Sequence, residues 1–371
     1  MKIIVGFCIF CLVLFIYLHI QFHLKTSEDL EMYEVEEPSK IKLEEICDIR
    51  QPIIFDFECD KIMELSSKSY ISNYYNAFEV KIRNSTEYDP NVELYVPLPL
   101  HAAIKLFDQD KNSLYFSENN KEFLEETGVI KSFKYNDSFL RPHMVSNCNY
   151  DIMMGSEGTC TPFRYELNYR NFFLLTQGSA QIKLAPPNCI KYLYPIYDHE
   201  NFEYKSPVNP WSPQPKFKPD FDKIKCLEFT LTPGKTLFIP AYWWYSIKFH
   251  NNTSISCFYY RTYMNNAAIL PYICMHALQL QNVKRNVVKK ASITELNKEI
   301  ITPQEQVNDF NNNNEFNNEF NNSNVEFNNN NEFNSNVEFS NNIEFSNNNI
   351  ELNDNMGTNI NELPEINNID L

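Results

Sequence analysis

Two stretches decide how this chain reads: TPFRYELNYRNFFLLTQGSAQIKLAPP at residues 161–187 and TPGKTLFIPAYWWYSI at 232–247. Within the first, residues 172–184 read as two strands meeting at Gly178. The runs LEFTL (227–231), TLFI (236–239), WYSIKF (244–249) and SISCFYY (254–260) continue the series. Short apolar runs at regular spacing, bounded by turn residues, mark an all-β barrel or sandwich. The Pro-rich excursion at 206–219 is excluded from the central sheet, because proline lacks the ladder donor. Glycine points the same way. The chain holds only seven, and Gly155, Gly158, Gly178 and Gly234 all fall in this segment at expected turns, where φ > 0 is needed.

Working outward, the strand-like texture runs over 46–265, a size that one β-barrel domain reaches. Residues 266–300 lose the alternation and read as a helical extension. Its apolar run ILPYICMHALQL (269–280) either covers a barrel edge or, over 266–290, makes a homodimer contact. Beyond it, 301–371 is Asn-rich with Glu-Phe pairs every four to seven residues and no aliphatic core, so a disordered low-complexity tail is expected. At the other end, residues 3–20 approach the ~17–25 residues that span a bilayer, and 3–18 are uncharged. The run exits through bulky residues with no small-residue cleavage site, so an uncleaved, single-pass signal anchor over 1–20 is expected; a cleaved signal peptide is the alternative. The domain that follows is placed on the lumenal or extracellular side. Residues 21–45 are acidic with little apolar periodicity and read as a stalk.

A formal charge of −16 excludes the clustered Lys/Arg footprint of nucleic-acid binding. Outside the apolar N-terminal run no CxxC pair occurs, which argues against a zinc ribbon or a thioredoxin-type redox motif. GxSxG, P-loop and HExxH motifs are also missing.

The order of the quoted motifs, with YLYP at 192–195, PP after one strand, PG before the next and the WW pair, resembles the cupin-like Jumonji-C (JmjC) family. Within it the asparaginyl-hydroxylase branch is most similar, over about residues 151–263. The resemblance implies a mainly β fold: a double-stranded β-helix of the cupin/jelly-roll type with flanking helices. In that family the barrel mouth holds Fe(II) through a His-x-Asp/Glu pair and a later His, with 2-oxoglutarate as cosubstrate. The three ligand positions correspond here to Arg164, Glu166 and Tyr245. A guanidinium has no lone pair to give, and a carboxylate and a phenol alone are a poor Fe(II) donor set. The family's lysine for the distal carboxylate of 2-oxoglutarate corresponds to Ala180, while Lys183 has the opposite parity and should point away. Thr161 and Asn171 match polar positions of the cosubstrate pocket.

We therefore expect no metal ligands and no cofactor. A buried Glu166 without a metal needs a cation or a proton, so Arg164 is expected to pair with it, with the Tyr245 hydroxyl completing the network. Of the other histidines, His143 and His250 are badly placed to substitute, and His199 is the best placed. The expected function is a membrane-anchored pseudoenzyme whose aromatic groove (Tyr242, Trp243, Trp244, Tyr259, Tyr260) binds an extended peptide or protein. The alternatives are an active Fe(II)/2-oxoglutarate-dependent protein hydroxylase and a structural membrane component.

Overall fold

A computed structural model of the chain describes residues 2–281 apart from residue 58 and residues 87–93. The low-complexity segment 301–371 and the end of the expected helical extension, 282–300, lie outside the described residues. Eight strands make the barrel: β1 (Val145–Gly155), β2 (Arg164–Tyr165), β3 (Arg170–Gln177), β4 (Ala180–Ala185), β5 (Leu227–Leu231), β6 (Lys235–Pro240), β7 (Trp244–Phe249) and β8 (Ser254–Thr262). One sheet has the order β1–β8–β3–β6 and the other β2–β7–β4–β5. All these pairings are antiparallel. That alternation between two facing sheets is the jelly-roll arrangement, the double-stranded β-helix expected from the sequence.

Strand parity sorts the side chains. Phe173, Ile182, Leu184, Leu237, Ile247 and Cys257 fill the space between the sheets. Their neighbours Phe172, Phe238 and Phe258 face the other way, into a second core with Phe55 and Phe133. At the β3–β4 turn Gly178 has φ +76°, and a Cβ there would meet the Asn251 and Asn252 carbonyl oxygens at 2.9 and 2.8 Å. Gly155 differs from the expectation: it is not at positive φ, and its place is set by packing, since a Cβ would lie 2.7 Å from the Phe249 ring.

Further elements widen both sheets. The first gains Tyr33–Val35 and Ile53–Asp56 beyond β6, and Tyr115–Ser117, Glu79–Asn84 and Val96–Pro99 beyond β1. The second gains Ile196–Asp198 and Glu203–Lys205 beyond β2. Residues 21–45 are therefore not a free stalk. Tyr33–Val35 pairs in parallel with Ile53–Asp56, and the helix Lys40–Cys47, capped by Ser39, buries Leu43, Ile46 and Cys47. Three apolar positions dock this short helix, too few to show as periodicity.

Three helices bear on function. Helix α1 (Lys2–Leu24) is long and apolar enough to cross a membrane, and its residues 2–18 are exposed. Helix α2 (Tyr263–Ala268) follows β8 directly and is capped by the Thr262 hydroxyl. Helix α3 (Leu270–Gln281) buries no side chain and exposes Leu270, Met275, Leu278 and Leu280. The dimer contact expected over 266–290 falls partly on this row and partly outside the described residues.

Candidate functional site

Arg164 and Tyr245 are direct cross-strand partners between β2 and β7. Their side chains therefore leave the same face of the sheet, about 5 Å apart at Cβ. Arg164 Nε donates to the Tyr245 hydroxyl (3.2 Å), which donates to Glu166 Oε1 (3.1 Å). The tyrosine thus joins the network as expected. The arginine's carboxylate partners differ from the expectation: they are Glu118 and Glu203. Arg164 donates from Nη2 to Glu118 Oε2 (2.5 Å) and from Nη1 to Glu118 Oε1 (3.0 Å) and Glu203 Oε1 (3.4 Å). A second guanidinium, Arg83, donates to the same Glu118 (2.8 Å) and makes two bonds to Glu203 (2.6 and 3.0 Å). Lys205 adds an ion pair to Glu203 at 3.0 Å.

Arg83, Arg164, Glu118, Glu203 and Lys205 are all buried. The arrangement is a compact charge lattice in which each carboxylate bridges two guanidinium groups. Burial pushes the Glu203 carboxyl up, but Arg83, Arg164 and Lys205 outweigh it and hold it down at about 2. Glu118 is likewise lowered, against burial, by Arg164 and Arg83. Glu166 goes the other way: burial raises it more than Arg164 and the Tyr245 hydroxyl lower it. Of Glu118, Glu203 and Glu166, only the last, at the position the resemblance assigns to the carboxylate ligand, is raised.

The lattice forms part of the wall of a cavity of about 450 Å³ at the barrel mouth. Asp151, Glu166 and Arg261 line it with the lattice, Tyr95, Phe202 and Tyr259 supply aromatic surface, and Asn147, Asn149 and Asn201 supply amides. Asp151 accepts the backbone N–H of Asn119, Asn120 and Ile152 at 2.6–2.8 Å, yet burial raises its carboxyl to about 6. Sequence reading missed Arg83, Glu118, Asp151 and Glu203. They lie on β1 or on strands and loops outside the resembling motifs, and the only signal for them was that a buried Arg164 requires counter-charge.

The remaining expected residues are placed as follows. Ala180 is fully buried between the sheets beside Ile182, Leu231 and Phe249. Lys183 points away, as its parity required, with its ammonium 3.1 Å from both the Pro210 carbonyl and Glu228 and over the Trp211 ring. Thr161 and Asn171 do not line the cavity: Thr161 Oγ1 accepts the Ile247 N–H (2.9 Å), and Asn171 spans Asn168 and the Ile239 carbonyl (3.0 Å each). The expected aromatic groove is corrected more fully. Trp243, Trp244 and Tyr260 are completely buried, with Trp244 tilted against Phe163 and edge-on to Tyr165, and only Tyr259 of the five reaches the cavity. The WW pair is core, because large rings fill the barrel ends.

The family signature of a cupin-like domain matches residues 44–265, well over half of the chain. The chain belongs to the cupin-like, JmjC-type family. Similar relatives include human HSPB1-associated protein 1, 30% identical over 106 residues covering 28% of this chain and 22% of the relative. JmjC domain-containing protein D of Dictyostelium discoideum is 30% identical over 102 residues (28% and 22%), and Jumonji C domain-containing protein 5 of Drosophila melanogaster 30% over 95 residues (26% and 23%). The matched stretch thus spans about a fifth of the length of these relatives.

The donor set of this cupin-like domain does not fit the iron that its family implies. At the three positions that the resemblance assigns to iron ligands stand a guanidinium without a lone pair, a phenol raised well above its ordinary range by burial, and one carboxylate. Among the described residues no group of three or more His, Cys, Asp or Glu is arranged to hold a metal ion. His143 is exposed beside Glu44, His250 sits in the turn after β7, and His199 packs against Tyr197 and Tyr204. The 2-oxoglutarate position is no better, because Ala180 presents a methyl group where the family has a cation.

Proposed function

We propose that this cupin-like JmjC domain is a binding module that has lost oxygenase chemistry, and that it takes a protein or peptide ligand at its polar mouth. One observation carries the reading. The Arg164 guanidinium makes four hydrogen bonds to three side chains at the family's first ligand position, so the carboxylates around it are already committed. What remains open toward solvent is an amide- and carboxylate-rich cavity with aromatic walls, chemistry that suits the N–H and C=O groups of an extended chain. The name of the HSPB1-associated relatives points to a protein partner for those proteins, and we extend that only as a class. Helix α1, long and apolar enough to cross a membrane, supports a membrane-anchored module, and we propose the lumenal or extracellular side for its domain.

The rival reading, an Fe(II)/2-oxoglutarate-dependent protein hydroxylase, is separated by turnover. Purified full-length protein supplied with Fe(II), ascorbate and 2-oxoglutarate is expected to form succinate no faster than a protein-free control. Succinate formation that disappears in Glu166→Ala would restore the hydroxylase reading.

A further inference from the structure

The lipid-facing part of α1 is short. Residues 2–18 are its uninterrupted exposed stretch, and seventeen residues at ~1.5 Å each make about 26 Å, against a hydrocarbon core of ~30 Å; beyond them exposed Phe22 and Leu24 flank the buried His23. For α1 to cross, the next turn must lie at the membrane boundary. That turn is where the helix meets the domain: His23 is buried against the Tyr169 ring and hydrogen-bonded to the Thr262 hydroxyl (3.2 Å), and Phe22 lies under the Arg50 guanidinium. No flexible spacer separates span from domain, so the surface around this joint sits at bilayer level.

At this joint is a cleft of about 460 Å³ with Leu18 and Phe22 on one side and Pro142, Met144, Tyr263 and Met264 on the other. Beside the exposed His143 imidazole, its exposed lining includes two large apolar or amphipathic groups. Met144 is 71% exposed and Tyr263 60% exposed, and the Tyr263 N–H donates to the Met144 carbonyl (3.2 Å). Met144 also has φ +53°, an uncommon conformation for a non-glycine residue, here holding an apolar side chain outward. In water that arrangement has no benefit; at a bilayer boundary a methionine enters the acyl region and a tyrosine ring sits at headgroup level. The polar lining carries both signs of charge: the Arg170 guanidinium lies 3.4 Å from Asp48, and the Glu44 carboxylate lies 3.4 Å from the His143 ring. That pattern complements a zwitterionic headgroup.

We propose that this cleft is a lipid site, taking one zwitterionic phospholipid of the bilayer that α1 spans, with Met144 and Tyr263 inserted beside it. The inference rests on the membrane-anchor reading, and its test separates the two. Full-length protein is placed in phosphatidylcholine nanodiscs with plain or acyl-chain-brominated lipid, as wild type and as Tyr263→Trp and Met144→Trp. Both positions are exposed enough to accept the ring, and the native Trp211, Trp243 and Trp244 give the wild-type baseline. The added emission of each variant is expected to be largely quenched by brominated lipid. Equal added emission in both lipids, with the chain retained in the discs, overturns the lipid site and leaves the anchor standing. A chain that elutes free of the discs overturns both.

Discussion

Replacing Arg164 with methionine is expected to destabilise the domain by about 3 kcal/mol, read as a lower denaturant midpoint at unchanged slope. Breaking a buried ion pair costs ~3–5 kcal/mol, and the lower end applies here because Arg83 remains to neutralise Glu118 and Glu203. Methionine fills the volume of the stem but leaves the Tyr245 hydroxyl without its donor. Adding Glu118→Gln to Arg164→Met should recover part of the loss, since the excess buried charge is then gone. The same lattice sets the acid limit. Glu203 is held at about 2, below the ordinary carboxylate value of ~4.3, so its contribution is full above that value and is lost as pH falls toward 2. Wild-type thermal stability should therefore decline between about pH 4.5 and 2, and less steeply in Arg164→Met, whose lattice has less to lose. A loss below about 1 kcal/mol for Arg164→Met would mean that the lattice is hydrated and unimportant to the fold.

Ala180→Lys, which restores the residue type of the family's cosubstrate site, is expected to cost about 4 kcal/mol or more. The methyl group is fully buried between the sheets beside Ile182, Leu231 and Phe249. A lysine there must either bury an ammonium or give up its proton, and fully buried lysines are shifted by up to ~3–5 pKa units at ~1.36 kcal/mol each. The added length also overpacks a filled interior. If the variant instead keeps wild-type stability and is stabilised by millimolar 2-oxoglutarate, a pocket for the dicarboxylate persists and the binding-module reading loses its second support.

Most of the barrel is legible in the sequence because its strands alternate between two cores and several are bounded by turn residues such as Gly178, Pro186–Pro187 and Pro233–Gly234. The boundaries of LEFTL and WYSIKF coincide with β5 and β7, and the family matches at the scale of the whole domain. The site was legible only in its negative half. Arg164 and Tyr245 stand where the resemblance places histidines, and that is visible in two short motifs. Their partners are not, because Glu118 lies 46 residues before Arg164 and Glu203 39 residues after it. Neither acidic residue looks different from a solvated one until the fold brings it inward. The aromatic residues misled for a related reason: composition counts rings, but only packing decides that Trp243 and Trp244 fill the barrel while Tyr259 faces the cavity. The acidic segment before the domain misled because a strand of three residues and a helix with three docked side chains carry no period long enough to read.

The central claim is that the Arg164 lattice has replaced an iron centre, and bound metal tests it most directly. Full-length protein in detergent would be equilibrated anaerobically with Fe(II) or Mn(II), dialysed, and its metal measured by inductively coupled plasma mass spectrometry beside Glu166→Ala. The account predicts far less than one ion per chain, with no difference between the two proteins. One ion per wild-type chain that is lost in Glu166→Ala would contradict it.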